Sequence, residues 1–132
     1  MTGRIWIGAG ALVGMGAVAM AALAAHALDG IGPARLAMVN STIRMEGWHA
    51  LALLGTGLWV GQGGGRRAHF AGAAFLAGAL LFGAGVYGLA LGGWPVGFLA
   101  PIGGSLLMLG WGALFVSALL RRERGTGDDA AR

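Results

Sequence analysis

The chain has 132 residues, of which 57% are hydrophobic and only 11% are charged, so its charged side chains are too few to cover a water-facing surface. The formal net charge of +4 comes from arginines that stand at the ends of apolar segments, which argues against a nucleic-acid-binding patch. The absence of cysteine excludes disulfides, thiolate metal sites and thiol nucleophiles. These features favour a single all-α membrane domain.

Four apolar segments predict an integral membrane bundle of four transmembrane helices, because about 20 apolar residues cross a hydrocarbon core of about 30 Å. The predicted spans are residues 5–28, 40–61, 70–91 and 98–120. In the second span, the charge-free part over 47–61 is too short by itself, so Arg44 and Glu46 must lie in or against the membrane. We therefore predict a transmembrane domain over residues 1–120, followed by a charged cytoplasmic tail over 121–132.

The N-terminal third of the chain has two further features. Arg4, the apolar segment and Ala25-His26-Ala27 resemble a signal peptide, but the segment exceeds the usual core of about 7–15 residues, so we expect an uncleaved helix. After Gly32-Pro33, residues 33–46 place apolar side chains at helical spacing. This pattern predicts a short outer amphipathic segment between the first two membrane helices, bent or continuous into the second span.

The arginines predict the orientation, because basic residues accumulate on the cytoplasmic side of a membrane. Four spans place Arg4, Arg66, Arg67 and the four arginines of the tail on one side, and Arg35 and Arg44 on the other. We therefore expect a multi-pass protein of the bacterial inner membrane with both termini in the cytoplasm.

Glycines predict how the helices pack, because lipid gives helices no hydrophobic reason to associate and small residues allow close approach. We expect packing contacts at Gly10 and Gly14 in the first span, at Gly78 in the third, and at Gly103 and Gly110 in the fourth. The sequence leaves open whether these faces meet inside the bundle or contact another subunit.

A candidate buried polar cluster consists of His26, Arg44, Glu46 and His49, since ionisable groups at midspan cost roughly 2.5–3.5 kcal/mol and require a reason. Glu46 and His49 are three residues apart and share one helical face. Two interpretations stay open. In the structural one, they bond to each other, to Arg44 or to a neighbouring helix. In the functional one, they bind a proton, a metal or a cofactor.

The spacing Glu46-x-x-His49 also occurs in di-iron bundles, which need the motif twice and two further glutamates. The other candidate pair, His26-x-x-Asp29, lies about 15 Å higher along the helix axis. We therefore expect no metal site and no cofactor.

Other polar residues give no catalytic pattern. We expect His69 to be solvated beside its neighbouring arginines, and Ser105 and Ser117 to bond to their own helix backbones. The sequence contains no nucleophile–base pair, phosphate loop or dinucleotide motif, so we expect no enzyme.

Several motifs resemble a known family: Ala24–Leu28, Arg44–Leu54, Phe75–Gly78, Leu81–Tyr87, Pro101–Gly104 and Leu109–Trp111. Together they resemble the domain of unknown function 423 family, which includes bacterial YgdD-type proteins and to which eukaryotic transmembrane protein 256 is similar. The resemblance implies a four-helix inner-membrane protein without an established activity. It also implies recurrent polar residues at His26, Arg44 and His49.

This chain departs from the family pattern at three places. Glu46 stands where the resemblance implies glutamine, Gly83 and Gly85 stand where it implies small hydroxyl residues, and Ala100 replaces a threonine. If polar groups of the third helix served a transport path, these glycines would interrupt it.

These observations favour a small inner-membrane protein without chemistry of its own. We expect a structural or accessory subunit of a larger membrane complex, such as a respiratory one, or a protein that associates with itself. Its partners are then lipids and other membrane subunits, and no nucleic acid. The alternative is a small transporter or proton-linked carrier that uses Glu46 and His49 as buried titratable groups.

Overall fold

The computed structural model describes residues 3–120, which form four α-helices joined by short turns. The helices are α1 (Arg4–His26), α2 (Pro33–Gly61), α3 (Gly65–Gly92) and α4 (Leu99–Leu119). The all-α prediction is confirmed. The predicted tail over 121–132 lies outside the described residues.

Three of the helices, α1, α3 and α4, are long and apolar enough to cross a membrane. The helix α2 is not among them, although its 29 residues would extend about 44 Å at roughly 1.5 Å per residue. Its charged residues, Arg35, Arg44 and Glu46, lower its apolar character. The architecture is therefore compatible with a small membrane protein.

The predicted outer segment over 33–46 is not a separate element, because α2 is continuous from Pro33 to Gly61. Pro33 occupies the start of the helix, where its missing N–H leaves no hydrogen bond unmade. Gly32 precedes it with a φ of 87°, a conformation that glycine adopts without steric cost. The chain thus turns sharply before α2 and then follows one helix.

The helices α2 and α3 form the middle of the bundle, and α1 and α4 flank them. The helix α1 packs mainly on α2 and touches α3, whereas α4 packs mainly on α3. Half of the most apolar part of α3 is buried, compared with 17% for α1 and 22% for α4. Most of the outer surface of both flanking helices is therefore open.

Small residues bring the helices together at each of the five predicted packing glycines. A Cβ added at Gly10 would stand 2.7 Å from the carbonyl oxygen of Ala50, and one at Gly14 would stand 3.5 Å from the Ala50 side chain. Both glycines therefore face α2, and only Gly14 has room for a methyl group.

The contact between α3 and α4 is as tight. A Cβ at Gly78 would stand 2.9 Å from the carbonyl oxygen of Gly103, and one at Gly103 would stand 2.7 Å from that of Gly78. A Cβ at Gly110 would stand 2.6 Å from the ring of Phe75, which is fully buried. These glycines therefore pack within the chain.

Candidate functional site

Hydrogen bonds between side chains tie the helices together, and most of their donors are tryptophan indoles. Four of those between described residues each join two different helices. They run from Trp6 to His69 (3.0 Å), from Trp59 to Ser117 (3.0 Å), from Tyr87 to Glu46 (2.7 Å) and from Trp111 to His49 (3.2 Å). These hydrogen bonds thus connect α2 with α3, α1 with α3, and α4 with α2.

Glu46 lies on α2, half-buried against α3. The hydroxyl group of Tyr87 donates a hydrogen bond of 2.7 Å to its Oε2 atom. On the preceding turn of α3, Gly83 faces the same carboxyl group, because a Cβ there would stand 2.5 Å from Oε1. The residues at positions 46 and 83, for which the resemblance implied other residue types, are therefore in contact, and the missing side chain of Gly83 makes room for the carboxyl group.

His49 lies one turn further along α2 and is 5% exposed. Its Nδ1 atom is 2.7 Å from the carbonyl oxygen of Met45, and its Nε2 atom is 3.2 Å from the indole nitrogen of Trp111. A carbonyl oxygen only accepts and an indole N–H only donates. His49 is therefore neutral in this arrangement, with its hydrogen on Nδ1.

Aromatic rings close this histidine off from the outside. The ring centroid of His49 lies 5.7 Å from that of Phe75 and 6.1 Å from that of Trp111. The rings of Phe75 and Trp111 also meet edge to face, with centroids 5.1 Å apart. The two rings therefore cover the histidine on the sides that face α3 and α4.

The structure brings two of the four residues of the predicted polar cluster into the bundle. Glu46 and His49 share a face of α2 but bond to different helices, Glu46 to α3 and His49 to α4. His26, the last residue of α1, and Arg44 of α2 are both exposed. Among residues 3–120, no hydrogen bond or ion pair joins Glu46 to any side chain except that of Tyr87.

A metal ion near Glu46 and His49 would need further ligating side chains beside them. Within the described part of the chain, no three His, Asp or Glu side chains lie close enough together to hold a metal ion. The chemistry available at Glu46 and Tyr87 is therefore hydrogen bonding and charge, in apolar surroundings.

The predictions for His69 and Ser117 are wrong. His69 accepts the indole hydrogen of Trp6, and Ser117 accepts that of Trp59 and donates to the carbonyl oxygen of Gly64. Both make bonds outside their own helices because each lies where an indole N–H needs an acceptor. The prediction for Ser105 is confirmed, since its hydroxyl donates to the carbonyl oxygen one turn earlier in α4.

Grooves of the described residues lie along α1, and two of them are larger than 400 Å³. The α1/α3 groove has a volume of about 420 Å³ and contains the side chains of Glu46 and Tyr87. The α1/α2 groove, of about 540 Å³, lies on the opposite side of α1 and has Arg44 on its wall. The remaining lining of the α1/α3 groove is apolar or glycine: Ala9, Leu12, Val13, Gly16, Met20, Leu76, Ala79 and Leu80.

Comparison with known families identifies one that covers most of the helical bundle. The family model described as "Protein of unknown function (DUF423)" matches residues 20–104, more than half of the chain. The matched range contains all of α2 and α3, and with them Glu46, His49 and Tyr87. No solved structure is significantly similar to the chain.

Proposed function

The chain belongs to the DUF423 family of proteins of unknown function, and we propose that it is an accessory subunit that binds another membrane protein through α4. In this proposal it has no catalytic chemistry of its own. All four helices cross the bacterial inner membrane, and both termini lie in the cytoplasm, as the distribution of arginines favours.

Hydrogen bonding supports α2 as the fourth span. Its buried polar side chains have partners inside the protein: Thr42 and Thr56 donate to carbonyl oxygens of α2, and His49 bonds to α4. A polar group in hydrocarbon is tolerated when its hydrogen bonds are made within the protein. The low hydropathy of α2 therefore fits a helix in the middle of a membrane bundle.

Two open glycines on α4 support the proposal that this helix binds another membrane protein. Gly104 and Gly112 have nothing within 4 Å of an added Cβ, and Met108, between them, is 70% exposed. Residues four apart lie on one face of a helix, so the three residues form an outer stripe. We call these three residues the α4 stripe.

The α4 stripe contrasts with the inner face of the same helix, where Gly103 and Gly110 already press against α3. A helix face that contacts only lipid gains nothing from glycine, and a glycine within a helix lowers stability by roughly 0.5–1 kcal/mol relative to alanine. A glycine does favour packing with a second transmembrane helix, because that helix can approach the backbone closely at the glycine. The α4 stripe therefore supports a contact with another transmembrane helix.

The carrier alternative has less support. A proton relay would need Glu46 and His49 to exchange a proton, but each bonds to a different helix. Both nitrogen atoms of His49 are already engaged, one by a carbonyl oxygen and one by an indole N–H.

The proposal is tested by extracting the full chain from its native membrane with mild detergent and measuring the native mass. We expect a complex larger than the monomer. The double variant Gly104→Leu/Gly112→Leu should weaken that complex by about 1–3 kcal/mol, because the added side chains overpack a close contact.

A matched control is Gly55→Leu, which adds the same side chain at an open position of α2. We expect this variant to keep the native mass. A lone monomer in mild detergent, or a complex that tolerates both leucines in α4, would contradict the proposal.

A further inference from the structure

The α1/α3 groove exists because these two helices make few direct contacts, while α2 packs closely against both. Near the start of α1, the ring of Trp6 packs over Gly72 and donates to His69 of α3. Because α1 packs mainly on α2, a groove of about 420 Å³ stays open between α1 and α3. This volume lies within the range of about 300–1,000 Å³ that is typical of small-molecule sites.

Among residues 3–120, Glu46 and Tyr87 are the only polar side chains that line this groove. The single hydroxyl hydrogen of Tyr87 is donated to the Oε2 atom of Glu46. A carboxylate has no hydrogen to donate and keeps several free lone pairs. The groove therefore offers a ligand acceptor atoms and a negative charge, and it has no free donor.

No cation within residues 3–120 compensates this charge, because the one bond that Glu46 makes is to Tyr87. Arg44 is only two residues away, but it lines the other groove, between α1 and α2. An unpaired carboxylate in apolar surroundings is costly, and a cation placed beside it removes part of that cost.

We propose that the α1/α3 groove binds a hydrophobic organic cation, with the charge of the ligand beside Glu46 and its apolar body along α1. The class comprises alkyl or aryl amines and quaternary ammonium or phosphonium ions. Leu12 and Val13 provide apolar contact for the body. The ring of Tyr87 provides a face to which a cation is also attracted.

Other membrane-soluble ligands fit this groove less well. A quinone carbonyl and a lipid phosphate both need hydrogen-bond donors, and Tyr87 has already donated its hydrogen. A hydrocarbon chain fills the apolar part of the groove but leaves the negative charge of Glu46 without a cation beside it. The choice of a cation thus follows from which atoms of the groove are still free to bond.

The first test measures binding of tetraphenylphosphonium to the purified full chain in detergent, by equilibrium dialysis. We expect saturable binding, weakened roughly tenfold or more by Glu46→Gln, since a charge-assisted contact is lost. The amide oxygen of glutamine can still accept from Tyr87, so this variant removes the charge and leaves the fold. Absence of binding, or equal binding by Glu46→Gln, would overturn the proposal.

A neutral ligand tests whether binding depends on the charge of the ligand or only on its apolar body. Triphenylphosphine oxide has a similar apolar body without a net charge, and we expect it to bind at least roughly tenfold more weakly to the unaltered chain. If it binds as tightly, the groove accepts apolar bodies of any charge, and the assignment of a cation site is wrong.

A matched pair of variants locates the site. Gly16 lines the groove, Gly8 does not, and neither has an atom within 4 Å of an added Cβ. Both leucine variants should fold alike, which far-ultraviolet circular dichroism checks. Gly16→Leu should abolish tetraphenylphosphonium binding by filling the groove, and Gly8→Leu should leave it unchanged. Equal effects of the two variants would show that the ligand binds elsewhere.

Discussion

Glu46 and His49 lie one turn apart on the same helix, yet their surroundings differ. His49 is enclosed by Phe75 and Trp111, and both of its nitrogen atoms have a partner of fixed direction. Glu46 is only half-buried, makes one bond to Tyr87 and lines an open groove. We call these two places the His49 centre and the Glu46 site.

The difference shows how neighbouring helices decide the role of a buried polar residue. At the His49 centre, α3 and α4 supply rings and a donor to Nε2, and the carbonyl oxygen of Met45 in α2 itself bonds to Nδ1. At the Glu46 site, α3 supplies one donor and a glycine, and α1 stays apart. The closed centre is suited to holding helices together, and the open site is suited to binding a ligand.

The sharpest test of this difference compares the effect of truncating each residue on stability. His49→Ala should lower the free energy of unfolding by about 3 kcal/mol, because it leaves a cavity beneath Phe75 and removes two buried hydrogen bonds. Glu46→Ala should cost at most about 1.5 kcal/mol, since its side chain is half-exposed and makes one bond. Unfolding in mixed micelles with increasing dodecyl sulfate, followed by circular dichroism, measures both. Equal losses would contradict the distinction.

The second prediction concerns the wall of the His49 centre. Gly110→Ala should cost about 1–3 kcal/mol of unfolding free energy, because its Cβ would stand 2.6 Å from the ring of Phe75 in a packed core. The control is Gly55→Ala in α2, where an added Cβ also meets nothing within 4 Å. Alanine there should be neutral or stabilising by about 0.5–1 kcal/mol. Equal effects of the two variants in the same unfolding experiment would contradict a tight contact between Gly110 and Phe75.

These glycines also show how far the sequence predicts the fold. The apolar segments predict the bounds of α1 and α4 to within two residues, whereas α3 begins five residues before its predicted span, because the length of an apolar segment is a local property and the start of a helix is not. Residues Gly10, Gly78, Gly103 and Gly110 do lie at tight interhelical contacts. The sequence did not distinguish them from Gly104 and Gly112, whose surroundings are open, because composition does not reveal which face of a helix meets its neighbour.

The candidate site was less predictable for a similar reason. The spacing of Glu46 and His49 correctly placed them on one face, but it did not reveal Tyr87 or Trp111, which are 41 and 62 residues away in the chain. Likewise, the role of Ser117 depends on Trp59. A buried indole N–H signals that an acceptor is needed, but the packing of the helices decides which residue supplies it.

The third prediction concerns the coupling between Glu46 and Gly83. Gly83→Ala places a Cβ 2.5 Å from Oε1 of Glu46, so the carboxyl group must move away and lose the hydrogen bond of Tyr87. In the background of Glu46→Ala, the same alanine meets no carboxyl group. A double-mutant cycle should therefore give a coupling of about 1.5 kcal/mol, the value of a hydrogen bond to a charged group. Additive effects would mean that the two residues do not share this space.

The smallest predicted effect isolates one hydrogen bond of the His49 centre. Trp111→Phe keeps a ring beside Phe75 but removes the indole N–H that points at Nε2 of His49, and should cost about 1 kcal/mol of unfolding free energy. Trp48→Phe makes the same chemical change at a side chain that is 68% exposed, and should cost almost nothing. Nitrogen-15 spectra of labelled histidine give an independent measurement: the unaltered chain should show His49 with its hydrogen on Nδ1. Because the carbonyl oxygen of Met45 continues to accept that hydrogen, Trp111→Phe should leave the tautomer unchanged while the Nε2 resonance shifts.

A hydrogen on Nε2 in the unaltered chain would contradict the donor and acceptor roles assigned to Trp111 and His49.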